Sequence, residues 1–303
     1  MEGYGYWTLG NEMARLGRIY PFLRFETIGY SVMGKSIPAI AIGHGSCRIH
    51  YNASIHANEW ITTPLLMQFL EELSMAYAIG TAWRGWNIRR LLSESTLWVV
   101  PMLNPDGVEL VLEGVTPEHP HGETLLAWNG GSNDFRNWKA NIRGVDLNDQ
   151  FPAHWEEEAA RREVHGPGER DYGGEAPLTE PEAVAIAAFT ECYSFDMVMA
   201  LHTQGQEIYW NYRDYEPPES EMMAEQLASL SGYKAVNLTD SDAGYKDWFI
   251  QQYRRPGFTI EIGSGVNPLP FETYPALYEE IAPILLQGLA FGSRGYLQTS
   301  SQN

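Results

Sequence analysis

The stretch Ser54-Ile55-His56-Ala57-Asn58-Glu59-Trp60 places an imidazole and a carboxylate three residues apart. Before it, residues 48–55 alternate in polarity and favour β structure, which predicts a strand. After it, residues 63–78 carry leucine and phenylalanine at helical spacing. His56 and Glu59 are therefore expected at the carboxyl end of the strand, and an imidazole with a carboxylate makes half of a zinc site.

Two later stretches predict strands that carry further polar groups to the same edge. Residues 196–202 form an apolar run that ends in His202, and residues 257–262 form another that contains Glu261. A lone ionised carboxylate in an apolar strand is costly, so Glu261 is expected to be paired, protonated or functional. The H-x-x-E spacing alone is a weak signal, but the four residues together predict a metal-dependent hydrolase.

With these motifs in this order, the sequence resembles the zinc carboxypeptidase family over nearly all of its length. The resemblance rests on H-x-x-E, N-P-D-G, G-x-D-x-N, a strand-end His and a strand Glu, here His56/Glu59, 104–107, 144–148, His202 and Glu261. It implies that His56, Glu59 and His202 bind one Zn2+ and that Glu261 is the general base. It also implies one α/β domain, residues 1–303, with a mixed, largely parallel twisted sheet flanked by helices.

One departure from the family pattern concerns the group that grips the substrate carboxylate. In the family an Asn-Arg pair ends the G-x-D-x-N motif, whereas here Asn148 is followed by Asp149. A carboxylate repels a carboxylate and favours an ammonium. We expect Asn148 and Asp149 to bind substrate, with Asp149 near an amino group, and the alternative is that Asp149 is a solvated surface residue.

Three other family positions are also occupied differently. The family's oxyanion-stabilising Arg corresponds to Lys139, with Arg143 close behind, and the sequence leaves both cations open for this catalytic role. Thr239 stands where the family has its capping Tyr, so Tyr245 is expected either to replace that Tyr or to be an ordinary loop aromatic. Lys246 occupies the position that sets side-chain specificity, which favours an acidic group on the substrate.

Longer matches point to a subgroup. Residues 56–60, 138–153 and 201–210 look like the bacterial γ-D-glutamyl-L-diamino acid endopeptidase I proteins, which cleave between γ-D-glutamate and meso-diaminopimelate in cell-wall stem peptides. The resemblance implies a muropeptide substrate. The far end of diaminopimelate carries an ammonium and a carboxylate, which Asp149 and a cation such as Lys246 or Arg143 would bind together.

Two rival classes of function stay open on the sequence. One is another enzyme on this scaffold, either an ordinary metallocarboxypeptidase or an N-acyl amino acid deacylase; the missing arginine after Asn148 disfavours the carboxypeptidase. The other is a non-catalytic module that binds peptidoglycan peptides. Binding needs no base, so the presence of Glu261 beside three metal ligands disfavours that module.

The amino-acid composition argues against some classes of binding partner but does not identify one. The chain has 303 residues, a formal net charge of −19 and a pI near 4.7, so neither nucleic acid nor an anionic membrane is expected as a partner. It has no basic, apolar leader, which favours the cytoplasm or spore compartment of a bacterium, and cell-wall association would need modules such as LysM repeats that this chain lacks. Cys47 and Cys192 are either two free thiols or one bridge.

The remaining patterns predict alternating strands and helices. The predicted strands are 24–31, 36–43, 48–55, 96–103, 196–202, 206–210 and 257–262. The predicted helices are 63–78, 180–193, 220–231 and 274–289. Alternation of this kind favours a mixed sheet with ligands at its carboxyl edge. The charged, glycine-containing segment 156–175 is expected to be an exposed loop, either solvated surface or a cleft rim.

Overall fold

A computed structural model describes residues 3–292 of the chain. The strands are β1 (Arg24–Tyr30), β2 (Ser36–Gly43), β3 (Cys47–Ala53), β4 (Ala82–Trp83), β5 (Trp86–Asn87), β6 (Ser95–Val100), β7 (Met197–His202), β8 (Glu207–Tyr209), β9 (Lys234–Val236) and β10 (Gly257–Glu261). The helices are α1 (Tyr6–Ile19), α2 (Thr62–Ile79), α3 (Ile88–Glu94), α4 (Pro105–Glu113), α5 (Gly122–Trp128), α6 (Trp155–Arg161), α7 (Pro181–Tyr193), α8 (Ser220–Ser231), α9 (Tyr245–Tyr253) and α10 (Tyr274–Phe291).

The main sheet has eight strands in the order β1-β2-β6-β3-β7-β10-β8-β9. Its centre, from β6 through β3 and β7 to β10, is parallel, and antiparallel pairs flank it on both sides. The predicted α/β architecture with a mixed, largely parallel sheet is therefore confirmed. Each strand predicted from the sequence is present, with ends that move by up to three residues.

Helices cover both faces of the sheet, because the strand side chains alternate between two apolar clusters. In β7, Met199 and Leu201 join the larger cluster with α2 and α10, whereas Val198 and Ala200 join the smaller one with α7 and α9. Burial on both faces explains why the central strands read as nearly continuous apolar runs.

Several helices were not predicted, and one of them corrects an expectation. Segment 156–175 is not wholly an exposed loop, because its first residues belong to α6, and the buried Glu158 and the partly buried Arg162 turn inward. Helices α1, α3, α4, α5 and α9 were also missed. α4 begins at the N-P-D-G motif, where Asn104 accepts a hydrogen bond from the Gly107 amide and Pro105 occupies the first turn.

The parallel register brings the predicted functional residues to one edge. His202 and Glu261 are direct partners in the β7–β10 pair, and Ala53, at the end of β3, pairs with Leu201. The chain from Ser54 to Glu59 leaves β3 at this same end, so residues distant in sequence meet there. Cys47 and Cys192 are free thiols, and no helix of residues 3–292 is long and apolar enough to cross a membrane.

Candidate metal centre

Three buried side chains converge where β3 and β7 end. His56 follows β3, Glu59 ends a short 3-10 turn, and His202 is the last residue of β7. His56 Nδ1 lies 2.9 Å from Glu59 Oε1, and His202 Nδ1 lies 3.1 Å from Glu59 Oε2. The two Nδ1 atoms are 3.1 Å apart. These three residues form a group that can hold one metal ion.

The donor set fits zinc. Two imidazole nitrogens and one carboxylate are a ligand set of catalytic zinc sites, and one possible ligand atom from each residue lies within 4.8 Å of the others. Burial opposes charge on Glu59, but the neighbouring His56 and His202 outweigh it and lower the Glu59 pKa to about 2. A dication bound to neutral imidazoles would favour the same ionised carboxylate.

Further residues hold these ligands in place. Asp146 Oδ1 lies 3.3 Å from His56 Nε2, which is the contact that fixes ring orientation in histidine ligands. The Thr203 amide donates to Glu59 Oε2 over 3.2 Å, and Asn267 Nδ2 donates to Glu59 Oε1 over 3.5 Å. Asn267 is itself held through the carbonyl and hydroxyl of Thr203.

Glu261 stands beside the three ligands. It is partly exposed, and its register partner across β7 is His202. Burial, and next the charge of Glu59, raise the pKa of Glu261 to about 8. A carboxyl group with a raised pKa suits proton transfer near neutral pH.

Of the two candidate cations for the oxyanion, only Lys139 lies at this site. Lys139 Nζ is 2.8 Å from Asp146 Oδ2, so one carboxylate contacts both Lys139 and His56. Burial disfavours the Lys139 ammonium, but Asp146 outweighs it and raises the pKa of Lys139. Arg143 is half exposed and lies 3.6 Å from Glu180 instead. The structure therefore does not agree with a catalytic role for Arg143.

Asp149 is neither a solvated residue nor an unpaired carboxylate. It is buried, and its two oxygens accept hydrogen bonds of 2.8 Å from Arg162 Nε and Nη2. Burial and the charge of Asp146 raise the Asp149 pKa to about 7, whereas the bidentate pair with the charged Arg162 guanidinium favours the ionised form. The expectation that Asp149 offers a substrate ammonium a free carboxylate is corrected by this pair.

The predictions for Tyr245 and Lys246 also do not agree with the structure. Tyr245 is completely buried and its hydroxyl bonds the Thr190 hydroxyl over 2.8 Å, so it is a core residue and cannot cap a substrate. Lys246 is buried as well, with Nζ 2.6 Å from the Asn211 carbonyl and 2.5 Å from Asp247 Oδ1. Its ammonium is engaged by the protein rather than presented to an acidic group.

Asn148 keeps a position from which it can bind substrate. It is partly exposed, and its Oδ1 accepts a hydrogen bond from the Tyr245 amide. Sequence reasoning missed four residues of the site, namely Asp146, Arg162, Thr203 and Asn267. Asp146 could have been found as the acid of G-x-D-x-N, whereas no local pattern marks Arg162 or Asn267.

Known proteins resemble this chain in sequence and in fold. Residues 10–273 match the zinc carboxypeptidase family model. The γ-D-glutamyl-L-diamino acid endopeptidase 1 of Lysinibacillus sphaericus is 52% identical over 288 residues, which cover 95% of this chain and 72% of that protein. The uncharacterized protein YqgT of Bacillus subtilis is 41% identical, covering 92% of this chain and 75% of that one.

Solved structures share the fold at low identity. Bovine thrombin-activatable fibrinolysis inhibitor superimposes with a TM-score of 0.74 at 17% identity, covering 95% of this chain and 96% of that one. Murein-tripeptide amidase MpaA from Escherichia coli O157 gives a TM-score of 0.55 at 21% identity, covering 87% and 91%. The chain belongs to the zinc carboxypeptidase family of metallopeptidases.

Proposed function

We propose that this protein hydrolyses the amide bond between γ-D-glutamate and meso-diaminopimelate in cell-wall stem peptides. The observation that carries the proposal is the 52% identity, over 95% of the chain, to a protein named as a γ-D-glutamyl-L-diamino acid endopeptidase. The substrate is then a muropeptide that contains this bond. The presence of His56, Glu59, His202 and Glu261 in one cluster supports a catalytic rather than a purely binding role.

His56, Glu59 and His202 would hold the zinc ion. When bound, zinc lowers the pKa of water and polarises a carbonyl group. Glu261 accepts a proton from the attacking water and delivers it to the leaving nitrogen, which departs as an amine while the glutamyl carbonyl becomes a carboxylate. The positive charge of a bound dication favours the ionised form of Glu261 that the first step needs.

Lys139 supplies positive charge for the carbonyl oxygen. Its Nζ is held 2.8 Å from Asp146, which also contacts His56, so the ammonium lies beside the ligand cluster. Negative charge develops on the carbonyl oxygen during attack, and a pre-positioned cation stabilises it. We assign the oxyanion role to Lys139 and substrate binding to Asn148.

The test is incubation with L-Ala-γ-D-Glu-meso-diaminopimelate, with products identified by mass spectrometry. Free diaminopimelate should appear, and a chelator should abolish its release. Glu261→Gln should lower kcat by roughly 100- to 10,000-fold without loss of bound zinc. Glu225→Gln is the control, because Glu225 lies exposed on α8.

A blocked dipeptide with a free carboxyl terminus is the competing substrate. Cleavage of the dipeptide alone would make the chain an ordinary carboxypeptidase and would refute the proposed specificity. Zinc binding without turnover of either peptide would refute an enzymatic role.

A further inference from the structure

Arg162 lies just beyond α6 and turns its guanidinium toward the buried Asp149. Nε and Nη2 each donate a hydrogen bond of 2.8 Å to one oxygen of Asp149. The Asp149 side chain is 6% exposed, whereas that of Arg162 is 29% exposed. Of the two side chains in this ion pair, solvent therefore reaches mainly that of Arg162.

A chain of contacts places Arg162 beside the metal ligands. Arg162 Nη1 lies 3.7 Å from Asp171 Oδ1, and the same Asp171 oxygen lies 3.6 Å from Lys139 Nζ. Lys139 contacts Asp146, and Asp146 contacts His56. Arg162 and Lys139 thus share one carboxylate, and three side chains connect Arg162 to the metal ligand His56.

The guanidinium is fixed and still has capacity to bind. Glu158 Oε1 lies 3.0 Å from Arg162 Nε, and Glu158 is held in turn by Arg161 and by the Asp242 amide. An arginine has five N–H groups, and its pair with Asp149 uses two of them. Within residues 3–292, Nη1 makes no hydrogen bond, because its 3.7 Å contact with Asp171 is too long for one.

The guanidinium keeps its positive charge beside these carboxylates. Burial disfavours the Arg162 guanidinium, but the charge of Asp149 outweighs it and raises the pKa of Arg162. Arg162 is therefore a permanent cation. A planar guanidinium held in this way presents its remaining edge to a carboxylate in bidentate geometry.

We propose that Arg162, oriented by Asp149, binds a carboxylate of the diamino acid that cleavage releases. This inference rests on the proposed function and names the group that recognises the leaving part of its substrate. Asp149 is a positioning residue, since it acts through Arg162. Asp149 alone would favour a substrate ammonium at this subsite, whereas Arg162 favours a carboxylate.

The experiment compares three forms of L-Ala-γ-D-Glu-meso-diaminopimelate on the zinc-loaded protein. One form has both diaminopimelate carboxylates free, and each of the other two has one of them converted to an amide. Arg162→Ala should lower kcat/KM for the free diacid by about 10- to 100-fold, mostly through KM, as expected for a lost charged hydrogen bond. For the amide that removes the recognised carboxylate, wild type and variant should react at similar rates.

Two additional variants separate recognition from folding. Asp149→Asn should lower kcat/KM for the diacid by a smaller factor, because the guanidinium stays but loses its orientation. Added guanidinium ion should restore part of the activity of Arg162→Ala, which a folding defect would not allow. Arg136→Ala is the matched control, because Arg136 is exposed and pairs with Asp134.

Equilibrium binding of meso-diaminopimelate and its two monoamides, measured by calorimetry, tests the inference without turnover. The inference is supported if Arg162→Ala binds the free diacid more weakly than wild type does and binds one of the monoamides equally well. This result would support the inference even if the tripeptide is not cleaved, which would refute only the proposed function. An equal loss for the diacid and both monoamides, in rate and in binding, would overturn it. If Arg162→Ala does not fold, Arg162→Lys is compared in the same way, with the same two readings.

Discussion

At the residue scale, the metal site depends on side chains that are not ligands. Asn267 Nδ2 donates to Glu59 Oε1 over 3.5 Å and to the Thr203 carbonyl over 2.7 Å. It therefore ties the loop after β10 both to a ligand and to the segment after β7. Groups that orient ligands in this way contribute to metal affinity, because they reduce the freedom that binding would remove.

We predict that Asn267→Ala weakens zinc binding by about 10- to 100-fold. Competition with a chromogenic chelator measures the zinc dissociation constant directly. Val266→Ala is the control, since Val266 adjoins Asn267 in the same loop and is 80% exposed. Equal zinc affinity in the two variants would show that Asn267 does not position Glu59.

Glu182, which is not a residue of the metal site, makes the free energy of unfolding depend on pH. It is fully buried in α7 and accepts hydrogen bonds from the Val32 amide and Asn141 Nδ2, yet burial raises its pKa from 4.5 to about 7. Between these values the folded protein holds a proton that the unfolded chain has released. Its contribution to the free energy of unfolding therefore falls as the pH rises from about 4.5 to about 7.

Glu182→Gln is expected to remove this loss. Urea unfolding at pH 5 and pH 8 should show a smaller decline for the variant, and at pH 8 the variant should be more stable by up to about 3 kcal/mol. Glu191→Gln is the control, because Glu191 lies exposed on the same helix. A decline equal to that of wild type would mean that Glu182 titrates normally.

At the element scale, α6 shows how a short helix changes a binding site. Its residues carry three acidic side chains in the first turn, and Glu158 turns inward to hold Arg161 and Arg162. The sequence of this segment is typical of a solvated loop. Arg161 donates a hydrogen bond to Asp242, and Arg162 donates one to Asp149. Both acids lie outside the helix, so the fold gives this segment its structural role.

Two glycines within helices should respond in opposite directions to alanine. Gly10 lies exposed in α1 and a Cβ there meets nothing within 4 Å, so Gly10→Ala should stabilise the protein by about 0.5–1 kcal/mol. At Gly288 in α10 a Cβ would lie 2.4 Å from Met199 Cε and 2.5 Å from the Tyr51 hydroxyl. Gly288→Ala should destabilise by about 1–3 kcal/mol through overpacking.

Denaturant unfolding of both variants measures these changes, and each variant serves as the other's control. A shift in the same direction for both would show that helix propensity, rather than the space around each glycine, sets the outcome.

At the scale of the whole molecule, the metal site joins segments that are far apart along the chain. His56 and Glu59 come from the turn after β3, and His202 comes 146 residues after His56. A ligand that binds the folded protein but not the unfolded chain stabilises it by mass action. Zinc bound at this site would therefore raise the stability of the whole domain.

We predict that a chelator lowers the thermal midpoint of unfolding and that added zinc restores it. Zinc at about 1,000 times its dissociation constant should contribute about 4 kcal/mol. The matched control is His202→Ala, whose midpoint should not respond to the chelator. A wild-type midpoint that is the same with and without chelator would contradict zinc binding at these residues.

The sequence by itself determined the features that depend on residues near one another in the chain. The H-x-x-E spacing brings His56 and Glu59 together within one turn, and the apolar runs that end at His202 and contain Glu261 predict strands of one sheet. Parallel strands end at the same edge, so four residues of the centre followed from these patterns.

The tertiary structure decided which charges face each other. Lys139 and Arg143 are close in sequence, but they lie in different places in the structure. Lys139 pairs with Asp146, whereas Arg143 lies near Glu180. The sequence suggested a free carboxylate at Asp149, but in the structure Asp149 pairs with Arg162. The sequence also suggested a loop aromatic at Tyr245, whose ring is buried in the structure. The free energy of an ion pair or a buried ring depends on partners brought in by the fold, and local sequence carries no record of those partners.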